Sequence, residues 1–345
     1  MMDPTLADLL ALARARGASD LHLSAGLAPT LRLNGRLEPV AGPGLDPAGL
    51  EAMLSAAMPA DLRARYRETG DIDFSLEMEG LRYRGNAYRT LRGPAAAFRV
   101  VPDRVPTLAD LGAPPILMDL SALPTGLILV TGPTGSGKSS TLAAMVGHIL
   151  SRQNAHVITI EDPVEYVHAA PGGLVSQREI GRDTASFATA LRAALREDPD
   201  IILVGELRDP ETIQMALTAA ETGHLVLGTL HTASAAKAVD RIIDVFPGPT
   251  KDMARAMLAG SLQAVIAQVL LPRADGRGRV AAHEVLVATP AVRSLIRENK
   301  IAQITSMIQM GSRFGMRTMA DSLEALRRAG TIAAGNGAPG DPWTE

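Results

Sequence analysis

The residues whose types and spacing could do chemistry are concentrated between positions 127 and 232. Residues 127–130 form a short apolar run that leads into Gly132-Pro133-Thr134-Gly135-Ser136-Gly137-Lys138-Ser139, and residues 140–150 read as a helix. The pattern G-x-x-x-x-G-K-S between a strand and a helix is a phosphate-binding loop. Its glycines let backbone N–H groups converge on phosphate oxygens, and the helix start at Lys138 adds partial positive charge. In that chemistry Lys138 bridges the β- and γ-phosphates of ATP, and the Ser139 hydroxyl ligates Mg2+. Ser140 places a second hydroxyl directly behind the loop. Hydrolysis also needs an acid on the metal side and a group that activates water. The apolar run 201–204 ends at Gly205-Glu206. Gly205 stands where many phosphate-loop proteins carry Asp, so Glu206 is expected to serve the Mg2+ side through water. Residues 158–166 place Glu161, Asp162 and Glu165 just beyond a strand end, where ligands bind in open α/β sheets. One of the three is placed to polarise water; the alternative for each is a solvated loop or a helix cap. His224 and His231 flank residues 225–228. Seven residues apart with a strand between them, they cannot act as a helical metal pair, which argues against zinc. His231, past the strand, is expected near the γ-phosphate, and His224, before it, in a structural role.

The elements that must position these residues alternate between apolar runs and helical segments. Runs at 127–130, 157–160, 201–204 and 225–228 suit strands covered on both faces, as in a parallel α/β sheet. Upstream the pattern differs. Residues 4–16 have helical apolar spacing, and apolar/polar alternation follows at 21–23, 31–33, 72–79 and 81–88, with Asn34-Gly35 as a hairpin signal. Residues 1–102 therefore read as an α+β domain with antiparallel strands. Residues 103–125, which hold four of the five prolines between positions 101 and 124, read as an interdomain linker. Residues 126–333 read as the α/β domain, wholly helical over 286–329 with a break at Gly311 and Gly315, and residues 334–345 as a loose tail.

Composition narrows the function. Hydrophobic residues make up 46% and charged residues 21% of the 345-residue chain, the usage of a folded, soluble protein. Cysteine is absent, which excludes disulfides, Cys-ligated zinc or iron–sulfur clusters and thiol catalysis. The longest apolar stretch, 262–271, is interrupted by glutamine and far short of the roughly 20 residues of a membrane span. No secretory signal is evident at the N-terminus, so the expected location is cytoplasmic. A net charge of -3 and 3% aromatics argue against the basic, aromatic-lined channel of a nucleic-acid translocase.

Four ordered segments together resemble the secretion ATPases of the type II/type IV pilus superfamily: the phosphate loop 132–139, an Asp box at 158–166, a Walker B strand within 195–206 and a His box at 223–232. The likeness is greatest to the pilus-retraction branch. It includes Leu9-Leu10, the Ala18-Ser19-Asp20-Leu21-His22-Leu23-Ser24 segment, Thr125-Gly126-Leu127 and Leu295-Ile296-Arg297-Glu298-Asn299-Lys300-Ile301. The resemblance implies a PAS-like N-terminal domain joined to a RecA-like ATPase domain, assembled as a homohexameric ring with nucleotide between the domains. It makes Glu165 the general-base glutamate, Glu206 the Walker B acid, His231 the functional histidine and His224 its companion. It also implies N-terminal arginines that reach phosphates, with Arg84 and Arg99 as the candidates; supplied in trans, they would make hydrolysis depend on assembly. The implied cofactors are ATP and Mg2+. The implied partners are the pilus platform protein at the cytoplasmic face of the inner membrane and an accessory retraction ATPase as co-motor, with no nucleic acid and no membrane insertion. Ser140 stands where Thr is usual, and segment 296–300 lacks a frequent Gly. Assembly ATPases share the four boxes but carry a further N-terminal domain and a four-cysteine metal site, for which this chain has neither the length nor the cysteines. A non-hydrolysing adaptor would have lost the acids that Glu165 and Glu206 supply.

Overall fold

Thr5 begins the first helix. Its hydroxyl accepts from the Asp8 N–H at 3.2 Å while the Asp8 carboxylate accepts from the Thr5 N–H at 2.9 Å, a reciprocal cap that starts α1 (Leu6–Ala15). In the computed structural model, which describes residues 5–33, 35–78, 80–101, 104–276 and 278–335, the chain forms two compact units, Met1–Asp103 and Arg104–Glu345. After α1 the first unit contains β1 (Asp20–Ser24), β2 (Thr30–Leu33), β3 (Arg36–Pro39), α2 (Pro47–Ala57), α3 (Ala60–Thr69), β4 (Asp71–Met78), β5 (Leu81–Thr90) and β6 (Gly93–Val100). The strands form one antiparallel sheet in the order β3-β2-β1-β6-β5-β4. Alternation puts Leu21, Leu23, Phe74, Tyr83 and Phe98 into the core against Leu9, Leu10 and Tyr66. Phe74 and Phe98 meet edge to face at 6.0 Å. Gly85 lies under that pair, where a Cβ would fall 2.7 Å from the Phe74 ring, which is why a strand interior carries glycine here. The 33–36 hairpin forms around Gly35, at φ +85; Asn34 and Glu79 lie outside the described residues.

The other face of this sheet carries charge. Directly cross-strand from one another stand Arg32 on β2, Asp20 on β1, Arg99 on β6 and Arg84 on β5.

The second unit contains α4 (Ile116–Ser121), β7 (Gly126–Thr131), α5 (Lys138–Leu150), β8 (His156–Glu161), β9 (Leu174–Glu179), α6 (Phe187–Ala194), β10 (Ile201–Val204), α7 (Pro210–Glu221), β11 (Leu225–Leu230), α8 (Ala235–Asp244), α9 (Lys251–Ser261), β12 (Leu262–Pro272), β13 (Arg279–Val287), α10 (Pro290–Arg297), α11 (Ile304–Met310) and α12 (Met319–Arg328). Its sheet runs β13-β12-β7-β11-β10-β8-β9, parallel except for the antiparallel β12/β13 pair. The four runs expected as buried parallel strands are β7, β8, β10 and β11, with β7, β10 and β11 buried at every residue. Two apolar layers cover the faces, one around α6 to α10 and one around α4 and α5.

Two expectations need correction. Residues 104–125 are not a free linker: Leu108, Leu117 and Leu120 are buried in the layer with Leu142 and Met145 of α5. The prolines there shape a packed covering segment. The helical reading of 286–329 starts too early, since Leu286 and Val287 end β13. The expected break is present, with a 3-10 turn at Ser312–Phe314 and Gly315 at φ +80. Of the expected tail, residues 336–345 lie outside the described residues.

Candidate functional site

The ends of β7, β8, β10 and β11 converge on the phosphate loop. At Gly132, φ is +148 and a Cβ would fall 2.2 Å from the Gln268 carbonyl oxygen, so only glycine fits between β7 and β12. Gly137, at φ +89, precedes α5 without a side-chain cap, leaving that helix's first N–H groups free to receive an anion. Lys138 is 8% exposed, and its Nζ donates to the carbonyls of Gly132 at 2.8 Å and Pro133 at 3.0 Å. Burial pushes its pKa down, opposed by the charges of Glu206 and Glu165. The loop is tied from behind: Gln268 Nε2 donates to the Ser136 carbonyl at 2.6 Å, and Thr141 Oγ1 donates to Gln268 Oε1 at 2.7 Å. The Ser136 hydroxyl is buried without a partner.

Beside the loop, Ser139, Glu161, Tyr166, His168, Gly205 and Thr229 line one cleft. Burial raises the Glu161 pKa, although its carboxylate accepts from Thr159 at 2.7 Å and Gln177 at 3.3 Å. Burial also lowers the His168 pKa to about 4. Tyr166 and Ser140 share a hydrogen bond of 2.8 Å between their hydroxyls. Glu206 sits just past β10, with Oε1 2.5 Å from Arg208 Nε and 3.2 Å from His231 Nε2. Burial works to raise its pKa, but the hydrogen bond from Arg208 and the proximity of His231 outweigh it and hold the carboxyl below its usual range. The strand ends are themselves fixed: the Thr229 hydroxyl donates to the Gly205 carbonyl, and Thr131 Oγ1 donates to the Thr232 carbonyl at 2.6 Å.

The structure thus brings Lys138, Ser139, Ser140, Glu206 and His231 to one edge of the sheet. Glu165 follows β8 there and is exposed, its N–H 3.5 Å from Glu161 Oε2. His224 stands at the opposite end of β11, with Nδ1 3.0 Å from the Ala219 carbonyl at the end of α7. Arg84 and Arg99 belong to the first unit. Arg99 Nε donates to Asp20 Oδ1 at 2.9 Å, and Arg32 lies 3.9 Å from the other Asp20 oxygen. Arg84, directly across from Arg99, is exposed and makes no ion pair among the described residues. Sequence reasoning missed Arg208 and Gln268. The signal for the first was an arginine two residues past Glu206; for the second, a polar residue inside the apolar run 262–271. Of the expected metal-side pair, Ser139 lines that cleft, where Glu161 supplies a second oxygen donor of the kind Mg2+ takes, whereas Glu206 is not in its lining and is bonded to Arg208 and His231.

A parallel sheet with a phosphate loop at its first strand and acids at the neighbouring strand ends defines a phosphate-loop nucleotide-binding protein. The family model described as "Type II/IV secretion system protein" matches residues 2–332, and the chain belongs to that family. It is 51% identical over 332 residues to the type IV pilus retraction ATPase PilT of Pseudomonas aeruginosa, covering 96% of each chain. Identity to the type IV pilus ATPase PilU of the same organism is 38%, over 94% of this chain and 85% of that one. Among solved structures, the pilus retraction motor PilT with bound ADP superposes with a TM-score of 0.91 at 44% identity, covering 99% of this chain and 98% of that one.

Proposed function

We propose that this chain is an ATP-hydrolysing motor that powers type IV pilus retraction as a homohexamer. The observation that carries the reading is the near-full-length likeness to the PilT retraction ATPase, together with a complete phosphate loop and acids at the strand ends. Lys138 leaves the loop carbonyls to take the β- and γ-phosphates, and the α5 N-terminus receives their charge. Ser139 would hold Mg2+ on the side of Glu206, and the ion would supply charge neutralisation for the phosphate oxygens. Glu165, exposed at the same edge, orients the attacking water as general base. His231 and Arg208 fix the Glu206 carboxylate. Arg84 and Arg99 of a neighbouring protomer complete the phosphate site, which makes turnover a property of the ring. The motor acts on the platform protein at the cytoplasmic face of the inner membrane, with an accessory retraction ATPase as co-motor.

The test is a count of surface pili by electron microscopy in cells whose chromosomal copy carries Glu206→Ala. Excess, unretracted pili with lost surface motility are expected. Bald cells would make this an assembly motor instead.

A further inference from the structure

Gln268 is 2% exposed and lies in β12, on the side of β7 away from the acids. Its amide has one chemically allowed orientation. The Ser136 carbonyl can only accept, so the atom 2.6 Å from it must be the donor Nε2, and Oε1 is left to accept from the Thr141 hydroxyl. Thr141 is also 2% exposed, so neither group has bulk water as an alternative partner. The loop is pressed onto this residue at both ends. A Cβ at Gly137 would meet Gln268 Nε2 at 2.8 Å, and one at Gly132 would meet the Gln268 carbonyl oxygen.

The geometry of one peptide gives these contacts a purpose. In the planar trans unit between Ser136 and Gly137, the N–H points opposite to the C=O. Holding the Ser136 carbonyl against β12 therefore turns the Gly137 N–H away from β12, toward the side of the loop that cradles phosphates. We propose that Gln268 is a positioning residue of the phosphate loop, which fixes the Ser136–Gly137 peptide so that the Gly137 N–H is aimed at the β-phosphate before nucleotide binds. The proposal rests on this loop being the ATP site. It assigns to β12 a share in nucleotide affinity that none of the four sequence boxes contains. The buried amide does not touch substrate; it acts through one backbone N–H.

The experiment is titration of the full-length chain with a fluorescent ADP analogue, with ADP and AMP as competitors, alongside steady-state ATPase kinetics. Gln268→Leu removes the donor and should weaken ADP about tenfold, the loss of one hydrogen bond to an anion. AMP, which lacks the β-phosphate, should change by less than about twofold, and KM for ATP should rise with the ADP loss. Gln268→Met offers the same loss with an unbranched chain if Leu does not fold. Thr141→Val keeps the Ser136 bond but frees the amide to turn, and should give a smaller loss of about threefold in the same direction. Unchanged ADP affinity in a folded variant overturns the proposal, as does equal weakening of ADP and AMP, which would make Gln268 a packing residue. Failure of the unaltered chain to bind ADP would instead remove the ATP-site reading on which the proposal stands.

Discussion

Two cationic sites in this chain are built on opposite terms. At the phosphate loop the cation is buried: Lys138 is 8% exposed, its protons are held by two loop carbonyls, and the loop is braced by Gln268 and Thr141. On the first unit the cations stand in the open. The Arg99 side chain is 67% exposed although paired with Asp20, and Arg84 beside it is exposed with no acid of its own among the described residues. A buried cation held by two carbonyls of its own loop keeps its geometry without a second chain. The Asp20 carboxylate is buried while the guanidinium it holds is open to solvent, so the pair is suited to aiming Arg99 from a fixed anchor. The difference fits the proposed reading, in which the loop holds nucleotide by itself and the exposed arginines are available to a neighbouring protomer.

The largest effect expected is at the buried end of this comparison. Lys138→Ala should reduce ATP turnover to assay background while the melting transition of the chain is kept, as read by a phosphate-release assay and thermal unfolding. At the exposed end, Arg99→Ala should cost about 10³-fold in turnover with ADP affinity unchanged. The comparison breaks if ADP affinity falls with it. It is sharpened by mixing: inactive Arg99→Ala protomers combined with inactive Lys138→Ala protomers should recover measurable hydrolysis, because one supplies the loop and the other the arginine. No recovery would place the arginine on its own protomer's site or on none. Asp20→Asn, which keeps the shape but removes the charge that orients Arg99, should lower kcat about fivefold and leave KM in place.

The smallest effect expected is the response of the second unit to acid. His283 is 2% exposed and its pKa is lowered to about 4, first by burial and then by the Arg317 charge. Because the folded value lies below the ordinary value of 6.5, the unfolded chain takes up the proton first. The stability tied to neutral His283 is therefore complete above pH 6.5 and is lost as pH falls toward 4. At pH 5 that loss is about 2 kcal/mol. His283→Leu should flatten the pH dependence of the second unit's denaturant midpoint between pH 7 and 5 by about that amount. An unchanged slope would mean that this histidine accepts its proton without opening the fold.

Much of the second unit was legible because its physics is local. A buried parallel strand must be apolar throughout, and a phosphate loop must place glycine where the backbone turns left-handed or meets another chain segment, so residues 127–139 declare both. The acids after β8 and β10 were legible for the same reason, being polar residues directly beyond apolar runs. What escaped depends on long-range pairing. Strand β12 is a helix-compatible apolar run until its register with β7 and β13 is known, and Gln268 looks like an interruption until Ser136 and Thr141, more than 120 residues earlier, are beside it. Arg84 was legible within the alternating run 81–88 and Arg99 only through the family resemblance, and the register that makes them direct neighbours, with Asp20 on the far side of Arg99, belongs to three strands that are not consecutive in sequence. The covering segment 104–125 was misread because its prolines suggest a spacer, and only the buried positions of Leu108, Leu117 and Leu120 show otherwise.

The cross-strand row of the first unit has a consequence for how the chain responds to ions in solution. The row of Arg32, Asp20, Arg99 and Arg84 holds three cations and one carboxylate, which pairs with Arg99 and Arg32, so it carries two uncompensated positive charges on a chain whose formal net charge is -3. Charges this exposed are screened over about 8–10 Å at physiological ionic strength, while the buried lysine of the loop is shielded from the same ions by the protein around it. Rising salt therefore weakens whatever the arginine face must meet before it weakens the grip of the loop. On the proposed reading, in which those arginines serve a neighbouring protomer, the ionic strength of the surroundings acts on that exchange sooner than on the occupancy of the loop.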